Sequence, residues 1–461
     1  MSHKETYEST LAHVNTNSRP SELRITDIRF ADIHGAPMHC SLIKVYTNQG
    51  LVGFGEVRDG ADKLYALMLK SRLLGENPCQ IDKLFRRIKQ FGGHARQGGG
   101  VSGLEIALWD LAGKAYHIPI YQMLGGKFRD RIRMYCDTDI EGKDTGSAMG
   151  QALKKRMEKG FTFLKMDLGI NQLVHEPGTL SGPLGFVEEM REVSSTWRSR
   201  KMMSLPEHEI RTLRNRQYDL HNIAHPFTGI HITEKGLDIL EQYVADVRSV
   251  IGYEVPLAID HFGHIGVEDC IKLGRRIDKF NLAWMEDMIP WQYTEQYVRL
   301  SRAVATPVCT GEDIYLKENF KPLLEAGAVS VIHPDVLSTG GIMETKKIGD
   351  MAQEYGVAMA IHMAESPIAC LAAVHAAAAT ENFLALEFHS NDVAWWDDII
   401  VSKLPKPLVQ NGFITVPDAP GLGIDDLNDE VIAAHLHPEV PGLWESTDSW
   451  NDYRSHDRLW S

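Results

Sequence analysis

Residues 257–287 read LAIDHFGHIGVEDCIKLGRRIDKFNLAWMED. Two short apolar runs, LAID and LAWME, each end on an acid, Asp260 and Glu286. Between them lies an amphipathic helical pattern, with Val267, Ile271 and Ile277 set among charges. Strand, helix, strand in this order is one parallel β/α unit. The rhythm continues downstream: PVCTGE ends on Glu312, SVIHPD on Asp335, AMAIH on His362 and FLALE on Glu387, at successive spacings of 26, 26, 23, 27 and 25 residues counted from Asp260. Six such strands, each with a polar residue at its C-terminal end, predict a (β/α) barrel, whose catalytic face is built from several strand ends. An open doubly wound sheet is the structural alternative, but it would not gather six strand ends around one point.

Upstream, RIRMYCDTD (131–139) reads as the first strand and FLKMDLG (163–169) as the next, with Lys165 and Asp167 on one face. The step from Lys165 to Asp260 exceeds one repeat by roughly seventy residues, so a long insertion is expected at about 173–233. An insertion after a barrel strand falls on the catalytic face, as a lid or an oligomer contact. Residues 1–21 form a polar extension. In residues 22–128, SLIKVYTNQGLVGFGEVRDG reads as two strands joined by an Asn-Gln-Gly turn and VSGLEIALWDLAGKAYHI as a helix, which predicts a small α+β domain before the barrel.

A length of 461 residues implies two domains or one enlarged domain. The net charge of −14, from 48 basic and 62 acidic side chains, argues against nucleic acid or an anionic membrane as partner. Six scattered cysteines without a CxxC pair read as reduced thiols. The polar N-terminus lacks an apolar signal core, and no run approaches the ~18 apolar residues of a membrane span. The expectation is a cytoplasmic protein.

Asp260, Glu286 and Glu312 stand on three consecutive strand ends, about 5 Å apart by strand spacing. Each alone could be a helix cap, a salt-bridge partner or a rim acid. Three in register would repel one another unless a hard divalent cation joined them. Oxygen-only ligands favour magnesium, with manganese as a substitute. Asp335 and His362 follow on the next two strands, and a buried Asp beside a His orients it and raises its basicity as a general base. Glu387 is either a protonated donor to an oxyanion or a structural acid. Lys165 is a substrate-carboxylate partner, a base or a counter-charge.

The ordered set IALWDLAGKAYHIPIYQMLGG (106–126), WMED, TGED, HPDVLSTGG and IHMAESP, with GLGID at 421–425, resembles the enolase superfamily. Within it, the likeness is to the mandelate racemase and muconate lactonizing enzyme-like acid-sugar enzymes. It covers residues 22–425 apart from the insertion. The resemblance implies a modified (β/α)7β barrel at 129–415, an N-terminal α+β capping domain at 22–128, and a segment at 416–461 returning to the cap. It implies magnesium on Asp260, Glu286 and Glu312, a base dyad of Asp335 and His362, and Glu387 hydrogen-bonded to an enolate oxygen.

Many relatives carry Lys-x-Lys on the second strand, its second lysine a base on the opposite substrate face. Here the stretch is Lys165-Met166-Asp167, so racemisation, which needs two bases, is not expected. One-base chemistry remains: removal of the proton α to a carboxylate, then β-elimination of water, giving a 2-keto-3-deoxy sugar acid. Lys-x-Asn in galactonate dehydratase-like relatives is close to this pattern and favours that outcome. A cycloisomerase opening an anhydro sugar acid such as 3,6-anhydro-galactonate is the alternative, and a silent sugar-acid-binding relative is the reading from another class. Related dehydratases often place the leaving-group acid, a His, two residues after the first ligand, where this chain has Phe262. His264, past Gly263, is therefore the candidate acid, and His261 a candidate substrate contact, with a supporting role open for both. Asp167, His34, Arg58 and Trp395 are the further candidate substrate contacts. His34 and Arg58 lie on cap loops, and Trp395 either walls the pocket or packs at the barrel end. The expected partners are a small sugar acid and further copies of the chain in a homo-oligomer.

Overall fold

The computed structural model describes residues 18–139, 142–183, 185–197, 206–219, 229–260 and 265–453. His261 and His264 lie outside the described residues, as does much of the insertion's HNIAHPFTG stretch.

The chain opens with an antiparallel sheet of β1 (Ile25–Ile33), β2 (Cys40–Thr47) and β3 (Val52–Val57). The Asn-Gln-Gly turn joins β2 to β3, as the sequence predicts. Against β3 lies the Gly99–Tyr116 helix, mostly apolar and buried along nearly its whole length, with its buried acids Glu105 and Asp110 hydrogen-bonded. The two come into backbone contact because glycines face each other. A Cβ on Gly55 would fall 2.1 Å from the Gly103 carbonyl oxygen, and one on Gly103 would fall 2.1 Å from that of Glu56. His117, in the left-handed region at φ 58°, ends the helix, and the Ile118 amide returns to the Gly113 carbonyl at 2.9 Å.

The fold is a closed eight-stranded parallel barrel preceded by this cap. Its strands are β4 (Arg131–Cys136), β5 (Leu164–Asp167), β8 (Leu257–Asp260), β9 (Met285–Glu286), β10 (Val308–Thr310), β11 (Val331–Ile332), β12 (Ala358–Ile361) and β13 (Phe383–Phe388), neighbours in that order, with β13 returning to β4. Between β5 and β8 come β6 (Leu180–Ser181) and β7 (His231–Ile232). They pair antiparallel and close off the described insertion as a ribbon at its base. The helices Phe186–Trp197 and Glu207–Tyr218 fill it, linked by Arg216 to Glu189 and Glu192 at 3.1 and 3.3 Å. After β13, β14 (Ile400–Val401) pairs with β17 (Asp426–Leu427), and the hairpin β15 (Val409–Gln410) and β16 (Phe413–Thr415) extends the barrel sheet beside β4.

The chain divides into two compact units. One comprises the described parts of Met1–Tyr135, Gly311–Lys321 and Ile332–Ser461, and the other those of Cys136–Thr310 and Pro322–Val331. The divisions at Tyr135 and Val331 fall inside barrel strands β4 and β11. Among the described residues, no helix is long and apolar enough to cross a membrane.

Candidate active site

In the second unit, strand register places three acids in a row. Asp167 pairs with Asp260, and Asp260 with Glu286. Cys309 of β10 pairs with Glu286, and Glu312 follows three residues later in the chain. Lys165, two residues before Asp167 and so on the same face, is buried. Its Nζ stands 3.0 Å from Asp260 Oδ2 and 2.8 Å from Glu286 Oε1. These two contacts make Lys165 an ion-pair partner of both acids. The second Glu286 oxygen accepts from Trp284 Nε1 at 2.6 Å, fixing the carboxylate from behind. Asp167 is half-buried, and its carbonyl accepts from the Gln172 side chain at 2.8 Å.

In the first unit, Asp335 and His362 are brought together by a parallel backbone bridge just beyond β11 and β12. His362 Nδ1 meets Asp335 Oδ2 at 2.6 Å. Asp335 Oδ1 accepts from the Leu337 and Ser338 amides at 2.5 and 3.2 Å, so the carboxylate cannot rotate away. This pairing assigns the imidazole proton to Nδ1 and leaves Nε2 as the basic nitrogen. Nε2 stands 3.2 Å from Glu312 Oε2 and 3.8 Å from Glu387 Oε2.

Arg58 departs from its expected role. Rather than reaching from a cap loop toward a substrate, it is wholly buried and committed to carboxylates. Its Nη1 donates to Asp335 Oδ2 and to Glu365 Oε1 at 2.8 Å, and lies 3.0 Å from His362 Nδ1. Its Nη2 lies 3.5 Å from Glu312 and its Nε 3.3 Å from Asp59. The correction is electrostatic: a guanidinium without solvent contact stays where several acids surround it. Burial alone would raise the Asp335 carboxyl, but the Arg58 charge and the His362 hydrogen bond hold it below its ordinary range. Burial and the Asp335 charge push the Glu365 carboxyl well upward, against the opposing pull of Arg58.

Trp395 is half-buried. Its ring stacks on His435 at 3.7 Å and 9°. His34 is exposed, donates its amide to the His435 carbonyl at 3.0 Å and lies edge-on to His437 at 5.4 Å. The tryptophan that supports the dyad is the next one: buried Trp396 donates Nε1 to the Glu365 carbonyl at 2.9 Å.

Glu387 is buried among three histidines. Its Oε2 stands 3.4 Å from His333 Nε2 and 3.8 Å from His362 Nε2, and its Oε1 stands 3.2 Å from His389 Nε2. His333 is itself hydrogen-bonded to the Tyr135 hydroxyl. Neither His333 nor His389 enters the sequence reading. Yet each lies two residues from a residue already chosen, Asp335 or Glu387, and so at the period that keeps side chains on one face of a strand.

Residues 7–125 match the mandelate racemase / muconate lactonizing enzyme N-terminal domain, and residues 211–430 the enolase C-terminal domain-like family. The chain belongs to the mandelate racemase and muconate lactonizing enzyme group of the enolase superfamily. It is 30% identical over 435 residues to D-xylonate dehydratase of Haloferax volcanii, covering 93% of this chain and 92% of the relative. It is 27% identical over 429 residues to D-galactonate dehydratase of Ralstonia pickettii, covering 89% and 96%. The crystal structure of a mandelate racemase/muconate lactonizing enzyme-like protein from Rubrobacter xylanophilus superposes with a TM-score of 0.74 at 28% identity, covering 91% of this chain and 99% of that one.

Proposed function

We propose that the chain removes the proton α to the carboxylate of a sugar acid and eliminates the β-hydroxyl as water, giving a 2-keto-3-deoxy acid. The observation that carries this reading is the one-sided base set. Asp335 and His362 pair at 2.6 Å, and the second-strand position used by two-base relatives is Asp167 instead of lysine. The names of the dehydratase relatives support the same reaction class.

Members of this superfamily typically bind magnesium. Asp260, Glu286 and Glu312 are the carboxylates that would hold such an ion, an all-oxygen donor chemistry that suits it, and the Lys165 ammonium pairs with the first two. When bound, magnesium would supply positive charge to the substrate carboxylate as the α-proton leaves. His362 Nε2 takes that proton, and Asp335 stabilises the imidazolium that results. Arg58 keeps Asp335 ionised for this task. Glu387 faces the base and holds its place among the histidines. The active form is a homo-oligomer.

The test is a screen of aldonate, aldarate and anhydro-aldonate acids for 2-keto-3-deoxy acid formation. Dehydration of an open-chain acid is expected. Ring opening of an anhydro acid alone would make the enzyme a cycloisomerase, and binding without turnover would make it a silent relative. His362→Asn should abolish turnover while leaving magnesium binding intact; near-normal turnover would remove the dyad from the mechanism.

A further inference from the structure

The loop that carries the base is short. His362, Met363, Ala364 and Glu365 run directly into Ser366, the N-cap of the helix Pro367–Ala378. Wherever the start of that helix sits, the imidazole follows within a few residues. One residue of the cap holds that start. Glu56 of β3, in the same first unit, is fully buried. Its Oε1 accepts from the Ser366 amide at 3.1 Å, and its Oε2 accepts from the Ala369 amide at 3.3 Å and from the Ser366 hydroxyl. That hydroxyl has one proton, which goes to Glu56, and its oxygen in turn accepts from the Ile368 amide at 3.2 Å. Arg58, two residues after Glu56, bonds Glu365 and Asp335. One strand end of the cap therefore holds the base loop at both Glu365 and Ser366.

We propose that Glu56 is a positioning residue for proton abstraction: ionised, it fixes the start of the Pro367–Ala378 helix and, through the four-residue loop, the placement of the His362 imidazole. This deepens the proposed function and rests on its assignment of His362 as the base. All three groups bonded to Glu56 are donors, and an ionised carboxylate is the side chain that offers acceptors alone. The positive end of the helix favours the same charge.

Burial acts the other way. It is the largest influence on the Glu56 carboxyl and pushes it up to about 7, against the hydrogen bonds from Ser366 and Ala369. The titratable groups that face Glu56 are the Cys40 thiol on β2, the Cys370 thiol in the helix and the Glu365 carboxyl in the loop. When Glu56 takes up a proton, one of its oxygens becomes a donor and one of the three bonds is lost. The loop then gains freedom at its far end. His362 keeps its bond to Asp335 but meets the α-carbon less often in the reactive arrangement. The loss falls on proton transfer, while substrate binding is left alone.

The test compares magnesium-loaded wild type with Glu56→Gln on the sugar acid taken from the screen, measuring kcat and KM from pH 6 to pH 9. Whatever the base contributes to the pH profile is common to both proteins and cancels in the ratio of their kcat values. That ratio should lie within about twofold of one at pH 6, where wild-type Glu56 is protonated. It should climb through a midpoint near pH 7 to about tenfold or more at pH 9. KM should stay within about threefold, and an α-deuterated substrate should show a larger isotope effect on kcat in the variant at pH 9. A ratio that is the same at every pH would overturn the proposal, because a merely structural cap acts alike at all of them. A ratio within about twofold of one at pH 9, or a loss confined to KM, would overturn it too. Where Glu56→Gln yields no folded protein, Ser366→Ala carries the test with the carboxylate kept. Loss of the hydroxyl donor moves the Glu56 carboxyl further up, so the ratio of wild type to this variant should peak at about pH 7–8 and fall back toward one at pH 9. A flat ratio would again overturn the proposal. Near-normal turnover by His362→Asn would take away the base, and this proposal with it; a flat ratio beside an inactive His362→Asn overturns the proposal alone.

Discussion

Arg58→Met tests whether the dyad is built on a buried cation. Methionine keeps most of the aliphatic volume and removes the charge, so the change isolates electrostatics from packing. Arg58 has no exposure and lies against four acids, Asp59, Glu312, Asp335 and Glu365. Removing one partner from a buried ion pair costs about 3–5 kcal/mol, because the other is left charged and desolvated. With an unfolding entropy of about 2.1 cal/mol/K per residue across 461 residues, that loss lowers the midpoint by about 3–5 °C. The pH dependence has a definite sign. Asp335 is held below its ordinary range, so its contribution in the wild type is present above the unfolded carboxylate pKa and is lost as pH falls through the lower folded value. In the variant, burial acts on Asp335 and Glu365 without the guanidinium, both carboxyls move upward, and proton uptake relieves the strain. The deficit should therefore be largest at pH 7 and smaller at pH 5. Scanning calorimetry at both values, with chelator in every sample so that metal binding does not enter, measures it. A deficit below about 1 °C, or one unchanged between the two pH values, would refute the reasoning.

Two further outcomes are expected. Excess EDTA should abolish turnover, and magnesium added back should restore it and raise the unfolding midpoint through binding to the folded state; full activity in chelator would remove the metal site from the reading. His375, fully buried, accepts from the Tyr121 amide at 3.3 Å, and burial pushes its pKa down to about 4 from the ordinary 6.5. The unfolded chain therefore binds the extra proton first, and stability is lost as pH falls from 6.5 toward 4, by about 2 kcal/mol between pH 7 and pH 5. His375→Asn should lack that component in urea titrations at the two pH values, and an identical pH slope in variant and wild type would contradict it.

The barrel is legible in the sequence because its signal is a repeat. β9 is only Met285–Glu286 and β11 only Val331–Ile332, too short for any local strand pattern, yet the spacing of their terminal polar residues places both. The same repeat yields Asp260, Glu286, Asp335 and His362, since a residue at the C-terminal end of a barrel strand has few other places to point. Where a side chain is aimed by a loop, the repeat says nothing. Trp395 and Trp396 are neighbours in a short helical turn, and only coordinates show that the first packs on His435 and the second on the Glu365 carbonyl. Arg58 is the harder case. It lies 277 residues from Asp335, directly after β3 of the cap, and nothing periodic connects them. In sequence it looks like a loop arginine awaiting a substrate; in the fold it completes the ion set beneath the base. That placement has an evolutionary corollary. Residues 332–389 transplanted beneath another cap would keep the dyad's hydrogen bond but bury Asp335 and Glu365 without their guanidinium, a penalty of the same kind as in Arg58→Met. Cap loop and strand ends must therefore change together, so a chimera of this barrel with a cap lacking Arg58 should regain stability when Asp335 and Glu365 are replaced by their amides.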